Sequence, residues 1–133
     1  MTHIAHPYAH RLGVIRGWKS RWFTPVKKDF RASLKSDTML REYLKKRLRG
    51  MYVDIVDIER SEKEIRVKIR TSRPGMLIGR SGEGAVKLQK DIEKQIKSVT
   101  KGEKRTVKID VEEVRSPESH AAIVAFMVAE GLE

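Results

Sequence analysis

The sequence predicts an α+β fold: three strands and a set of amphipathic helices, preceded by an N-terminal arm. Three observations carry the prediction. Segments at 51–60, 65–70 and 106–114 alternate apolar and charged residues with the period of two that a half-buried strand requires. Around them, apolar residues recur every three or four positions, the spacing of a helix with one face on a core. A glycine-rich stretch, Arg73-Pro74-Gly75-Met76-Leu77-Ile78-Gly79-Arg80-Ser81-Gly82-Glu83-Gly84, separates the second strand from the helix that follows. At 133 residues the chain is long enough for one domain with a modest core and some appendages.

Residues 1–36 read as an arm, because histidine, proline and clustered cations replace any sustained apolar period. A helix is expected from Asp37, a plausible N-cap, with Leu40, Tyr43, Leu44 and Leu48 on its inner face and Gly50 placed to end it. The opposite face, with Arg41, Lys45, Lys46, Arg47 and Arg49, is basic, and a solvated surface explains it more readily than RNA contact.

In the first strand Val53 and Ile55 are followed by Val56 and Ile58, a phase slip that signals a bulge. A polar turn, Ser61-Glu62-Lys63-Glu64, then joins it as a hairpin to a second strand with Ile65, Val67 and Ile69 on one face and Arg66, Lys68 and Arg70 on the other. Met76-Leu77-Ile78 is expected to supply one short helical turn of core residues. The next helix turns Ala85, Leu88, Ile92, Ile96 and Val99 inward and is broken by Lys101-Gly102-Glu103-Lys104.

A third strand carries Val107, Ile109 and Val111, and Ser116-Pro117-Glu118 starts a last helix, with Ser as N-cap. That helix is apolar nearly all round through Ala121, Ile123, Val124, Phe126, Met127 and Val128, as though cut from a further domain. The expected organisation is therefore an arm over 1–36, a domain over 37–115, and the first helix of a truncated domain over 116–133.

Composition narrows the function. Lys and Arg number 29 against 18 Asp and Glu, a formal net charge of +11, which favours a polyanionic partner. No apolar run approaches the ~20 residues of a spanning helix, and no amphipathic cationic helix or lipidation signal points to a membrane surface. Cysteine is absent, which excludes disulfides, thiolate metal sites and cysteine nucleophiles. The N-terminus lacks the cationic start and apolar centre of a secretory signal, so a cytoplasmic location is the default expectation. His3, His6 and His10 lack the partners a metal site needs, and no metal or cofactor is expected.

Two stretches carry candidate contacts. Glycine brings a nucleic-acid backbone close to the main chain and tolerates a tight turn, so Gly75, Gly79, Gly82 and Gly84 flanked by Arg73 and Arg80 read either as a backbone clamp or as a helix connector. In the arm, Arg11, Arg16, Lys19 and Arg21 alternate with Trp18 and Trp22. There the cations suit phosphates and the indoles suit bases or sugars, or else Trp18, Trp22 and Phe23 cover the core edge. The glycine spacing fits neither a P-loop, which needs Lys after the last Gly, nor the dinucleotide fingerprint, which follows a strand directly. Ser81 has no histidine beside it in sequence, and the carboxylates are scattered among lysines, so an enzyme is not expected.

The order helix, strand, strand, short helix, Gly-x-x-Gly, helix, strand resembles the KH domain in its type II (prokaryotic) arrangement, and Ile78-Gly79-Arg80-Ser81-Gly82 matches that family's Ile-Gly-x-x-Gly signature. The resemblance implies a three-stranded mixed sheet packed against helices, and a loop of Gly79, Arg80, Ser81 and Gly82 that clamps a nucleic-acid backbone beside apolar surface for the bases. It brings in Ile78, Gly84 and Lys87 as further contacts. Over the whole chain, Arg11-Leu12-Gly13-Val14-Ile15-Arg16, Ser20-Arg21-Trp22-Phe23, Arg41-Glu42-Tyr43-Leu44 and Val111-Glu112-Glu113-Val114 resemble the N-terminal half of a bacterial small-subunit ribosomal protein family.

That likeness implies a structural protein of the small subunit in the cytoplasm. Its expected partners are ribosomal RNA of the subunit head, neighbouring head proteins and messenger RNA near the entry channel. A free-standing KH assembly factor or regulator is the alternative. The chain departs from the family's usual Asn-Pro start at His6-Pro7-Tyr8-Ala9-His10, and members continue into a C-terminal domain carrying the cations associated with messenger entry.

Overall fold

The computed structural model describes residues 4–100 and 105–132. His3 and the Lys101–Lys104 helix break lie outside the described residues. Helix α1 (Pro7–Arg11) is followed by a two-residue strand β1 (Ser20–Arg21), a long helix α2 (Lys27–Arg47), and strands β2 (Val53–Arg60) and β3 (Glu64–Thr71). A short helix α3 (Pro74–Ile78), a longer helix α4 (Glu83–Val99), strand β4 (Thr106–Glu113) and helix α5 (Ala121–Leu132) complete the chain. From α2 onward this is the helix, strand, strand, helix, helix, strand order expected of the type II arrangement.

The sheet is mixed, in the order β1-β2-β3-β4. Strands β2 and β3 form the expected antiparallel hairpin, with a register shift between Val53 and Ile55 where the apolar phase slips. Strand β4 runs parallel to β3. Parallel neighbours need a crossover connection, and α3 and α4 supply it. The glycine-rich loop is the bend inside that crossover.

The core is the side of the sheet covered by helices. Ile65, Val67 and Ile69 are fully buried, as alternation requires, and share the core with Leu40 and Leu44 of α2, Leu48 at its C-cap, and Leu88, Ile92 and Ile96 of α4. Each such side chain contributes ~1.5–3 kcal/mol by leaving water. The other face of the sheet is a lattice of ion pairs. Lys68 meets Glu59 at 3.1 Å, Arg70 meets Glu112 at 3.1 Å, and Arg66 meets Glu64 at 2.8 Å. The cationic face of β3 is thereby neutralised by its neighbours.

The structure corrects four expectations. A three-stranded sheet was expected, and the arm adds β1 as a fourth strand, parallel to β2 with Ser20 opposite Ile58. The helix expected to start at Asp37 starts ten residues earlier at Lys27. Asp37 is no cap; it is buried in mid-helix, where its carboxylate accepts from Arg60 Nε at 2.7 Å and from the Trp22 indole N–H at 2.7 Å. Arg60 also donates to Ser36 Oγ at 3.0 Å. The first turns of α2 were hidden because Phe30 and Leu34 remain about half exposed there, so no deep apolar stripe marks them.

Arg41, assigned to a solvated face, instead ties α2 to the sheet, donating to the carbonyls of Val56 and Lys19 at 2.7 and 2.6 Å and to Ser20 Oγ at 2.8 Å. Burial draws its guanidinium below the usual arginine value, and Asp37 and Asp57 oppose that shift. The last helix is preceded by a 3-10 turn at Pro117–Ser119, so Ser116 precedes that turn, with no side-chain cap bond, and α5 begins only at Ala121.

The Asp37–Arg60 side chains are 4% and 3% exposed, so removing one charge strands the other. Replacing Asp37 with Asn should cost ~3–5 kcal/mol in urea unfolding. Trp22→Phe, which removes one donor, should cost ~1–3 kcal/mol. Equal and small losses in the two variants would contradict this assignment.

Candidate nucleic-acid interface

The glycine-rich loop is built by opposite demands on neighbouring residues. Pro74 opens α3 without needing an N–H, and the helix ends where the Gly79 N–H bonds to Gly75 O at 2.9 Å. Gly79 then takes φ 71° and ψ −177°, a region open essentially only to glycine. Gly82 sits at φ 81° as the residue before α4, and Ser81 between them is held at φ 55°, uncommon for a side chain with a Cβ. The loop is a strained turn in which Gly79, Arg80 and Ser81 are exposed.

What it presents is charge beside a helix start. Arg80 and Ser81 are exposed, and no hydrogen bond or ion pair engages either side chain among the described residues. Helix α4 starts with no side-chain cap, its Glu83 N–H taken by Arg80 O in the preceding 3-10 turn, so the positive end of its dipole lies beside Arg80. Lys87, one turn on, is exposed and only loosely paired with Glu83 at 4.0 Å. Beside the loop, Met76 (52%), Ile78 (38%) and Val86 (50%) form exposed apolar surface.

That surface revises part of the sequence reading. Of the turn expected to supply core residues, only Leu77 is buried, at 3%. Met76 and Val86 were not singled out as site residues; their signal was position, since α3 and the first turns of α4 flank the glycines. The glycines also separate. A Cβ on Gly84 would lie 2.6 Å from Leu77 O and 2.9 Å from Ile78 O, so glycine there lets α4 pack on α3. Gly75 has open space where a Cβ would go. Arg73 is positioned from within: its guanidinium lies 4.1 Å from the Tyr52 ring, whose hydroxyl bonds to Glu130. That hydrogen bond raises the Tyr52 hydroxyl above its usual pKa.

The arm contributes a second group of residues on the β2 edge, apart from the crossover that carries the loop. It is pinned to the domain: Ile58 N–H donates to Lys19 O at 2.9 Å. Trp22 is committed inward, to Asp37 and to a tilted ring contact with Phe30 at 5.2 Å. Trp18 and Phe23 remain 65% and 88% exposed, so core covering applies to Trp22 alone. Arg21 leans on Glu59 at 3.5 Å. Arg11 donates to Pro7 O at 2.9 Å, and Lys19 lies over the Tyr8 ring at 4.7 Å. His6, weighed as a metal ligand, is the N-cap of α1, its Nδ1 accepting from Tyr8 N–H at 3.1 Å. No helix among the described residues is long and apolar enough to cross a membrane.

The geometry defines a small α+β domain with a two-helix crossover, whose Gly-x-x-Gly bend carries an exposed cation beside a helix start. Residues 39–119 match the family model described as KH domain, and this chain belongs to that family. It is similar over all its 133 residues to small ribosomal subunit protein uS3 of Caldicellulosiruptor saccharolyticus (40% identical), covering 57% of that relative. The same holds for the proteins of that name from Acidobacterium capsulatum and Xanthomonas campestris, both 41% identical, of which it covers 56% and 51%. The chain thus spans about half the length of these curated relatives.

Two glycine substitutions separate packing from access. Gly84→Ala should destabilise the domain by ~1–3 kcal/mol, the range for overpacking. Gly75→Ala lies in a helix with room for a methyl group and should leave stability unchanged or raise it by up to about 1 kcal/mol. Thermal unfolding of both variants measures this, and equal effects would contradict the assignment.

Proposed function

We propose that this chain binds ribosomal RNA of the small-subunit head, near the side where messenger RNA enters, as a structural component supporting assembly and translation in the cytoplasm. The observation that carries the reading is the Gly79–Gly82 loop, with Arg80 and Ser81 unengaged beside the uncapped start of α4. In this geometry the glycines admit the sugar-phosphate backbone, Arg80 supplies charge and Ser81 hydrogen-bonds a phosphate oxygen. Met76, Ile78 and Val86 offer apolar contact to splayed bases. The +11 net charge and the full-length likeness to proteins named as small-subunit ribosomal proteins support the same partner.

The arm is the second anchor, through Arg11, Arg16, Trp18, Lys19 and Arg21, with Trp22 fixing its position. Residues 1–26 then act as an RNA-binding arm docked on the domain, 27–115 as the KH unit, and 116–133 as the lead into a further unit. Neighbouring head proteins and messenger RNA near the entry channel are the remaining proposed partners. The chain acts by binding, without catalysis or a cofactor.

Changing Arg80 and Ser81 together to Asp adds negative charge at exposed positions, so the fold should persist. RNA affinity should fall by roughly tenfold or more. If ~5 or more phosphates are contacted, the parent chain should lose roughly 0.7 to 0.9 log units of affinity per contact for each tenfold rise in salt. Binding titrations at several salt concentrations test both; unchanged affinity in the variant or a flat salt response would refute the loop assignment.

A further inference from the structure

A second feature brings together residues that lie far apart in sequence. Between α1 and the start of α5 is a cleft of about 380 Å³, walled by Tyr8, Arg11, Arg16 and Lys19 on the arm side and by Asp54 and His120 on the domain side. It is large enough for a nucleotide-sized group, since small-molecule clefts run ~300–1,000 Å³. Asp54 on β2 has a side chain only 8% exposed, and its Oδ2 lies 2.7 Å from Nδ1 of His120, whose side chain is 29% exposed. A carboxylate at that distance accepts a hydrogen bond from Nδ1–H and fixes the ring. Nε2 is then the ring nitrogen left for a ligand.

We propose that this cleft is a phosphate-binding subsite for the RNA backbone, in which His120, oriented by buried Asp54, joins Arg11, Arg16 and Lys19 and makes RNA affinity depend on pH. The inference rests on the RNA-binding reading and adds residues that neither the arm motif nor the glycine loop contains. The charge balance supports it. Three cations face one carboxylate that is already engaged by His120, a formal +2 that becomes +3 when the imidazole is protonated. Arg16 has no hydrogen bond or ion pair among the described residues through its guanidinium, while Arg11 uses one donor on Pro7 O.

The sign follows from the groups around the ring. Asp54 from β2, Arg11 from α1, and Arg16 and Lys19 from the segment after it are the charged groups that line the cleft with the ring. A bound phosphodiester, anionic throughout the neutral range, therefore draws a proton onto His120. Binding should strengthen as pH falls. The Tyr8 hydroxyl is occupied by Gly17 O at 2.8 Å, and Glu118 is exposed two residues before His120.

The test is a titration of labelled small-subunit head RNA onto the whole chain between pH 5.5 and 8 at constant ionic strength, with the parent, His120→Gln and Arg16→Ala. The parent should gain severalfold in affinity toward low pH. His120→Gln should lose most of that gain, and Arg16→Ala should bind severalfold more weakly at every pH. A His120→Gln variant that keeps the parent's slope, or an Arg16→Ala variant that binds as tightly as the parent, overturns the subsite while leaving the loop-mediated RNA binding intact. A parent chain that binds no RNA at any pH overturns both readings. Inorganic phosphate, compared with chloride at matched ionic strength, separates the sources: little displacement of RNA supports a backbone subsite. Strong displacement that His120→Gln abolishes assigns the cleft to free phosphate instead.

Discussion

The buried carboxylate of Asp37 is the joint on which the architecture depends. It receives Arg60 from the end of β2 and the Trp22 indole from the arm, while Ser36 takes another Arg60 donor. Burying two opposite charges is costly unless each is also hydrogen-bonded, and here the extra donors meet that condition. The arrangement joins three segments that the hydrophobic core alone does not: the arm, the middle of α2 and the far end of the first hairpin strand. Arg41 repeats the device one turn further along α2, reaching Val56 and the arm carbonyl of Lys19. The arm is consequently a docked element with a fixed relation to the sheet.

This docking decides where the chain's positive charge can act. The outer face of the sheet spends its cations on Glu59, Glu64, Asp110 and Glu112, and offers no net field to a polyanion. The excess cations lie on the arm, on the exposed side of α2 and around the glycine loop. Because β1 pairs with β2 while the loop belongs to the crossover between β3 and β4, two cationic regions are held at separate parts of one rigid sheet. An RNA that touches both must present its backbone at two separated places, a shape requirement that folded RNA meets more readily than a flexible single strand.

Much of this was legible in the sequence, and the reasons are physical. Alternation identified Ile65, Val67 and Ile69 because a strand buried on one face has no other way to hide its apolar residues. The bulge showed as a phase slip, and the loop was marked by glycines whose backbone angles no other residue adopts easily. The start of α2 was not legible, since Asp37 has the chemistry of a cap and only the distant Arg60 and Trp22 show that it is a buried ion-pair partner. Arg41 looked like a surface cation for the same reason. Gly84 was read as one of the glycines admitting a nucleic-acid backbone, and the carbonyls of Leu77 and Ile78 give it a packing role that the local pattern did not show. In each case the deciding partner lies elsewhere in the chain, beyond the reach of local pattern.

If the Gly79–Gly82 loop holds one defined stretch of RNA backbone, its contacts are the same in every assembled subunit. A photo-crosslinking residue at position 80, incorporated in assembled small subunits, measures this. Crosslinks should form to the same few head nucleotides in every preparation, together with a second fixed set from position 18. Crosslinks from position 80 spread over many RNA sites, or their absence while position 18 crosslinks normally, would contradict it.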